Sequence, residues 1–313
     1  MSKKKNTKNI IWTVDPFGDL SKSIEQSAAM ANYVAEKTKS KIEPVYVLSP
    51  DGFNWAGDFS SAWVKKVQPQ IEEKLNALIK KVGIKTLAPT ILVHKLLSLT
   101  GDTKKVVQHA KKTGAQMIVL TTHARTGLNR FILGSFAETA ILHSKVPLLL
   151  LNPHAEVPKT LNKTLFATDL SKESKRGFKK FLKNCKGLVS EIVIYHKLPD
   201  PIEPIVQTGV QMAGGGWVSV QQFLSNEGKE REAECQKMAK DAEKMGFKTK
   251  VVIDRTTGFV TDSINEEVKK SQVQMVAMVS KTGPVSTILI GSIGRQLTRT
   301  SDVPVYLIHE DGK

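Results

Sequence analysis

The chain is poor in cysteine, poor in aromatics and short of acidic residues, and no long apolar run interrupts it. Only two of its 313 residues are cysteines, Cys185 and Cys235. Neither stands in a Cys-x-x-Cys pair, so a disulfide framework is not expected and both read as structural thiols. No apolar stretch approaches the roughly 18 residues that would span a bilayer. The opening Met1-Ser2-Lys3-Lys4-Lys5-Asn6 lacks the apolar core of a secretory signal. The expectation is a cytoplasmic protein with no membrane association. Lys and Arg outnumber Asp and Glu by 46 to 30, for a net charge of +16. A basic field can attract polyanions. Yet the lysines are scattered as pairs, such as Lys65-Lys66 and Lys111-Lys112, and aromatics make up only 6%. Without a stacking platform the charge reads as a solvated surface, which disfavours nucleic acid as a partner.

Catalytic signatures are also missing. There is no Gly-x-Ser-x-Gly elbow, no His-Glu-x-x-His and no carboxylate cluster suited to a metal. His196 is an isolated strand-end histidine. Gly214-Gly215-Gly216 has no following lysine and helix, so it reads as a loop and not a P-loop. With no base–nucleophile pair in view, neither an enzyme nor a metal site is expected.

What the chain does have is a pattern written twice. Gly134-Ser135 leads through an amphipathic stretch to Pro147 and the run Leu148-Leu149-Leu150-Leu151. Gly291-Ser292 leads in the same way to Pro304 and Val305-Tyr306-Leu307-Ile308. The two Gly-Ser pairs lie 157 residues apart, the length of a domain and far beyond a solenoid period. Two tandem domains are expected, residues 8–152 and 163–310, joined by a linker at 153–162.

In each domain, short apolar runs alternate with helical periodicity. Residues 9–15, 42–48, 88–97, 116–121 and 146–151 read as strands of the first domain. Helices are expected at 21–37, 61–82, from 100 through 110, and at 136–143. Pro69 would kink the second helix or mark its start. The second domain repeats the grammar, with strands at 163–169, 191–195, 248–254, 274–279 and 303–308. Its helices fall at 174–184, 229–245 and 260–270, and 199–216 is a looser region. Apolar strands separated by helices imply a parallel sheet covered on both faces, here two doubly wound α/β domains of five strands each. Ligands of such sheets sit beyond the carboxyl ends of the strands. The last strand of each domain is short and apolar. Pairing of 146–151 with 303–308 would make the chain an intramolecular pseudo-dimer, with homo-oligomers beyond it left open.

The segment from Thr121 to Glu138 carries the clearest functional pattern, because it follows a strand and opens a helix. It resembles the universal stress protein family. Nucleotide-binding members have Gly-x-x-Gly, nine residues, then Gly-Ser or Gly-Thr. Here nine residues separate Ala124 from Gly134, and Ser135 follows. Asp15 and Asp169 after the first strands, Thr100-Gly101-Asp102, Pro147 and Pro304 extend the resemblance along nearly the whole chain. It implies a Rossmann-like fold of the adenine nucleotide alpha hydrolase type, and an adenine nucleotide, ATP, in the first domain. Asp15 would then lie near the adenosine, Val47 would line the adenine slot, and Thr121, His123 and Ala124 would pass over ribose and phosphates. The amides of Ser135, Phe136 and Ala137, behind Gly134, would meet the phosphates, as helix N-termini do. Thr121 and Ala124 stand where the motif has glycine. Ser135 and Glu138 also form a Ser-x-x-Glu capping box, which competes for the same amides.

The second domain departs further. Aligned without gaps, its glycine positions become Met278 and Lys281. Matching Gln274-Met275 to Gln116-Met117 shifts the loop by one. Lys197 replaces Val47. Met278 and Lys197 would narrow the cleft, which leaves Asp169, Lys281, Gly291 and Ser292 as weaker candidates. Two functions follow: a stress-response regulator that holds a nucleotide in its first domain, or a non-nucleotide stress protein that uses the fold as a dimerisation and partner scaffold.

Overall fold

The computed structural model describes residues 9–17, 22–50, 59–122, 135–152, 157–198, 210–211, 217–218, 220–282 and 290–311. The first half runs β1 Asn9–Thr13, α1 Lys22–Thr38, β2 Lys41–Leu48, α2 Ser61–Lys81, β3 Thr90–Val93, α3 Leu99–Thr113, β4 Met117–Thr121, α4 Ser135–His143 and β5 Leu148–Leu151. The second runs β6 Lys163–Ala167, α5 Lys172–Asn184, β7 Glu191–Lys197, the small antiparallel pair β8 Val210–Gln211 and β9 Trp217–Val218, then α6 Val220–Glu243. It ends with β10 Lys248–Asp254, α7 Val260–Ser271, β11 Met275–Thr282, α8 Ile290–Thr300 and β12 Val305–Asp311.

Local chemistry sets the helix ends. Ser98 caps α3 by accepting from Gly101 N at 3.0 Å, and Gly114 closes it in the left-handed region. Ser60 caps α2, so that helix starts at Ser61 and runs on through Pro69. Pro69 and Lys65, four residues back, are both exposed. The missing hydrogen bond thus falls on the exposed face of α2. Several expected boundaries shift by one to three residues, and two differ more. β3 is shorter than the apolar run 88–97, and α6 begins nine residues before Lys229.

All ten main strands form one sheet, ordered β10-β7-β6-β11-β12-β5-β4-β1-β2-β3. Within each half every pairing of this sheet is parallel. The two halves carry the same doubly wound order and meet edge to edge. Across the seam β12 pairs antiparallel with β5, with Val305 opposite Leu150, Tyr306 opposite Leu149 and Leu307 opposite Leu148. Alternation along the seam feeds two cores. Leu149, Leu151, Tyr306 and Ile308 join the core under α1, α2, α5 and α6. Leu148, Leu150, Val305 and Leu307 join the one under α3, α4, α7 and α8. Both cores are thus continuous from one half to the other, and the pairing of last strands that the sequence suggests is present.

Candidate functional site

In the first half the strand order reverses between β1 and β4, which opens a crevice beyond their carboxyl ends. Trp12 of β1 is level with Val119 of β4, so Asp15 lies beside the end of β4. Asp15 is exposed, and its Oδ1 accepts from Phe17 N at 2.9 Å. Val47, near the end of β2, is half-buried against the core under α3 and α4. Thr121 ends β4 and is half-buried. Thr122 N and Oγ1 both donate to Leu151 O, at 2.9 and 3.3 Å. Ser135 opens α4, with Phe136 half-buried and Ala137 buried behind it. The first-turn amides of a helix have no partner inside it. The structure thus brings Asp15, Val47, Thr121 and the body of α4 to one edge of the half. His123, Ala124 and Gly134 lie outside the described residues.

One cluster at this edge was not foreseen. His94 Nδ1 lies 2.7 Å from Asp102 Oδ1, and Ser49 Oγ donates to Asp102 Oδ2 at 2.6 Å. All three residues are buried. A nucleophile–base relay needs serine against histidine; here Asp102 stands between them, so the cluster ties the ends of β2 and β3 to α3. A side chain at Gly101 would place Cβ 2.1 Å from His94 Cε1, which explains the glycine of Thr100-Gly101-Asp102. The Tyr46 phenol is raised well above its ordinary range, first by burial and then by the carboxylates of Asp15 and Asp102. Asp15 and Asp102 therefore flank one buried tyrosine. Sequence spacing hid the cluster because Ser49 and Asp102 are 53 residues apart.

The second half resolves its own alignment. Gln116 N donates to Asn9 O at 2.9 Å, and Gln274 N to Lys163 O at 2.8 Å. Met117 then follows beside Ile10 as Met275 does beside Thr164. The shifted alignment holds, and the two glycine positions become Val279 and Thr282, not Met278 and Lys281. By the same register Tyr46 corresponds to His196 and Val47 to Lys197. The backbone of Lys281 lies in β11, and those of Gly291 and Ser292 in α8.

A cavity of about 170 Å³ opens beyond the carboxyl ends of β6, β7 and β11, with Asp169, Lys197 and Met278 in its wall. The expected narrowing by Lys197 and Met278 does not close it. The Lys197 ammonium is drawn away to Thr256 O at 2.5 Å, Thr256 Oγ1 at 3.2 Å and Asp254 Oδ2 at 3.3 Å. Tyr195 OH donates to the same Asp254 oxygen at 2.5 Å. Burial alone would raise the Asp254 carboxyl. The donors Tyr195 and Thr256 and the Lys197 charge outweigh it and hold that carboxyl well below the usual range. Asp169 Oδ1 accepts from Ser171 N at 3.1 Å and Ser171 Oγ at 2.7 Å, and Ser171 is the cap of α5. His196 Nδ1 lies 2.8 Å from Thr168 O.

A family model described as the universal stress protein family matches the chain twice, over residues 6–152 and 160–309. The chain belongs to the universal stress protein family. A curated universal stress protein from Methanocaldococcus jannaschii is 24% identical over 131 residues, which cover 40% of this chain and 72% of that one. A crystal structure of a universal stress protein from Archaeoglobus fulgidus has a TM-score of 0.61 at 18% identity, over 98% of this chain and 99% of its own. A Pseudomonas aeruginosa protein of unknown function has a TM-score of 0.58 at 14% identity, over 97% of this chain and 92% of its own. These likenesses give the tandem fold. Within the universal stress protein domains described here, Cys185 and Cys235 are buried and free. Burial pushes the Cys235 thiol up to about 12, which suits a packing role. Among the described residues no helix is long and apolar enough to cross a membrane, and no group of His, Cys, Asp and Glu is placed to hold a metal.

Proposed function

We propose that this chain is a non-catalytic stress-response regulator of the cytoplasm that binds an adenine nucleotide, ATP, in its first domain, with the second domain as a built-in dimer partner. The observation that carries this reading is the convergence of Asp15, Val47, Thr121 and α4 at the edge where the strand order of the first half reverses. Asp15 would face the ribose, Val47 the adenine, and the amides of Ser135, Phe136 and Ala137 the phosphates. His123, Ala124 and Gly134 would complete the phosphate side.

The second domain supplies fewer of these groups to a nucleotide. Its cation Lys197 is engaged by Asp254 and Thr256, and Asp169 Oδ1 accepts two hydrogen bonds from Ser171 where Asp15 Oδ1 accepts one from Phe17 N. Lys281, Gly291 and Ser292 would have to hold phosphates without them. A non-nucleotide scaffold is the second reading. It is favoured by threonine at 121, where the motif has glycine, and by the use of Asp102 within its own fold. Calorimetric titration of the full chain with ATP, ADP and AMP separates the two. One saturable site supports the nucleotide reading, and no heat at millimolar nucleotide removes it.

A further inference from the structure

We infer that the turn between β3 and α3 docks the protein on an anionic membrane surface. Leu96 and Leu97 enter the lipid, and the lysines beside them meet the headgroup phosphates. The assignment is independent of the nucleotide reading of the first half.

Exposure comes first. Leu96, Leu97 and Leu99 are 69%, 71% and 43% exposed. Six large apolar side chains are exposed among the described residues, and three of them fall within these four positions. Single exposed leucines are ordinary on a protein surface, whereas a cluster marks a contact.

The turn is also held in place. At its start His94 N donates to Leu48 O at 2.9 Å, and the buried His94 ring lies 2.7 Å from Asp102. Lys95 Nζ donates to Ser61 Oγ at 2.7 Å, which ties the turn to the start of α2. At its end Ser98 caps α3. The chain is thus fixed on both sides of Leu96 and Leu97, while their side chains stay in solvent. The Ser49–Asp102–His94 cluster serves to present them.

Charge decides the occupant. Lys65 and Lys66 are exposed in the second turn of α2, and Lys104 and Lys105 in the second turn of α3. Lys95 adds a fifth cation. In segments 59–66 and 94–105 the single acid is Asp102, which is buried against His94 and Ser49. Protruding leucines flanked by lysines fit a bilayer. The apolar tips reach the acyl region, and long lysine stems carry their charges to anionic phosphates. A nucleic acid would answer the lysines but leave the leucines in water. Phe59 and Trp63 are half-buried at the start of α2, with rings 5.0 Å apart. They add aromatic side chains of the kind that favours the headgroup layer. Such docking is peripheral and needs no spanning helix.

Flotation of the full chain with vesicles tests this, using phosphatidylcholine alone and phosphatidylcholine mixed with phosphatidylglycerol. Binding is expected on the anionic vesicles only. Leu96→Ser combined with Leu97→Ser keeps the net charge and should weaken that binding about tenfold. Undiminished binding of this double variant would reduce the contact to charge alone and overturn the proposal. No binding by the wild-type chain overturns it as well. Leu97→Cys carrying an environment-sensitive dye gives a second reading, because the native thiols are buried. Its emission should shift to the blue on anionic vesicles, and an unchanged spectrum overturns insertion. A concentration-dependent dimer that the double leucine variant loses would assign the turn to a second copy of the chain and overturn the lipid surface.

Discussion

Arg299 of α8 donates to Glu138 of α4 at 2.6 Å, across the junction of the two halves. Asn152 Nδ2 adds contacts to the carbonyls of Arg299 and Ser301 at 3.2 and 3.4 Å, and His309 Nε2 meets Ile141 O at 2.5 Å. These polar contacts frame an apolar seam. Glu138 thus spends one oxygen on the partner half, although its spacing from Ser135 fits a capping box.

Rim and seam should differ in weight. Arg299 and Glu138 are 39% and 32% exposed, so Arg299→Ala should cost about 0.2–1 kcal/mol. Leu149 is fully buried opposite Tyr306, so Leu149→Ala should cost ~2–5 kcal/mol. Urea unfolding of both variants checks the ranking. Equal costs would contradict a seam held by burial.

Because β5 and β12 pair directly, the halves should stay together when the chain between them is cut. A protease site placed at 153–156 and cleaved should leave two fragments that co-elute on size exclusion. Fragments that elute separately would show that the covalent link, and not the seam, holds the pseudo-dimer.

Gly101→Ala should destabilise the first half by about 1–3 kcal/mol. The new methyl would sit 2.1 Å from His94 Cε1, which forces the imidazole off Asp102. Thermal unfolding measures the loss. A variant as stable as the parent would mean that the His94–Asp102 contact is not needed.

Acid should expose the Asp254 cluster. Its carboxyl lies below the ordinary 3.8 in the folded chain, so below that pH the unfolded chain takes up a proton first. The stability it contributes is therefore present above about 3.8 and lost as pH falls toward the folded value. Tyr195→Phe removes the donor at 2.5 Å. Its destabilisation should be full at pH 6 and shrink by pH 3. A pH-independent cost would place the effect in packing alone.

Much of the fold is legible in the sequence because its strands are buried on both faces and read as short apolar runs. The seam follows from Leu148–Leu151 and Val305–Ile308, apolar runs that would otherwise leave open edges. The start of α6 is not legible. Gly228 interrupts the helical signal, yet the helix runs through it, with the Arg255 guanidinium 2.7 Å from where a Cβ would be. At the site, Asp15, Val47 and Thr121 came from the family resemblance, and the sheet places all three at strand ends. The Ser49–Asp102–His94 cluster and the diversion of Lys197 were not legible. Both depend on partners from separate loops that only the folded sheet brings together, and no periodicity encodes such contacts.

The central claim is that nucleotide binding is unequally divided between two copies of one scaffold. Calorimetric titration of ATP into Gly134→Asp and Gly291→Asp tests it most directly, with circular dichroism to show that both variants fold. A carboxylate at 134 would face the phosphates proposed for the first domain. The account predicts that Gly134→Asp abolishes binding while Gly291→Asp leaves it unchanged. Unchanged affinity in Gly134→Asp, or loss only in Gly291→Asp, would contradict it.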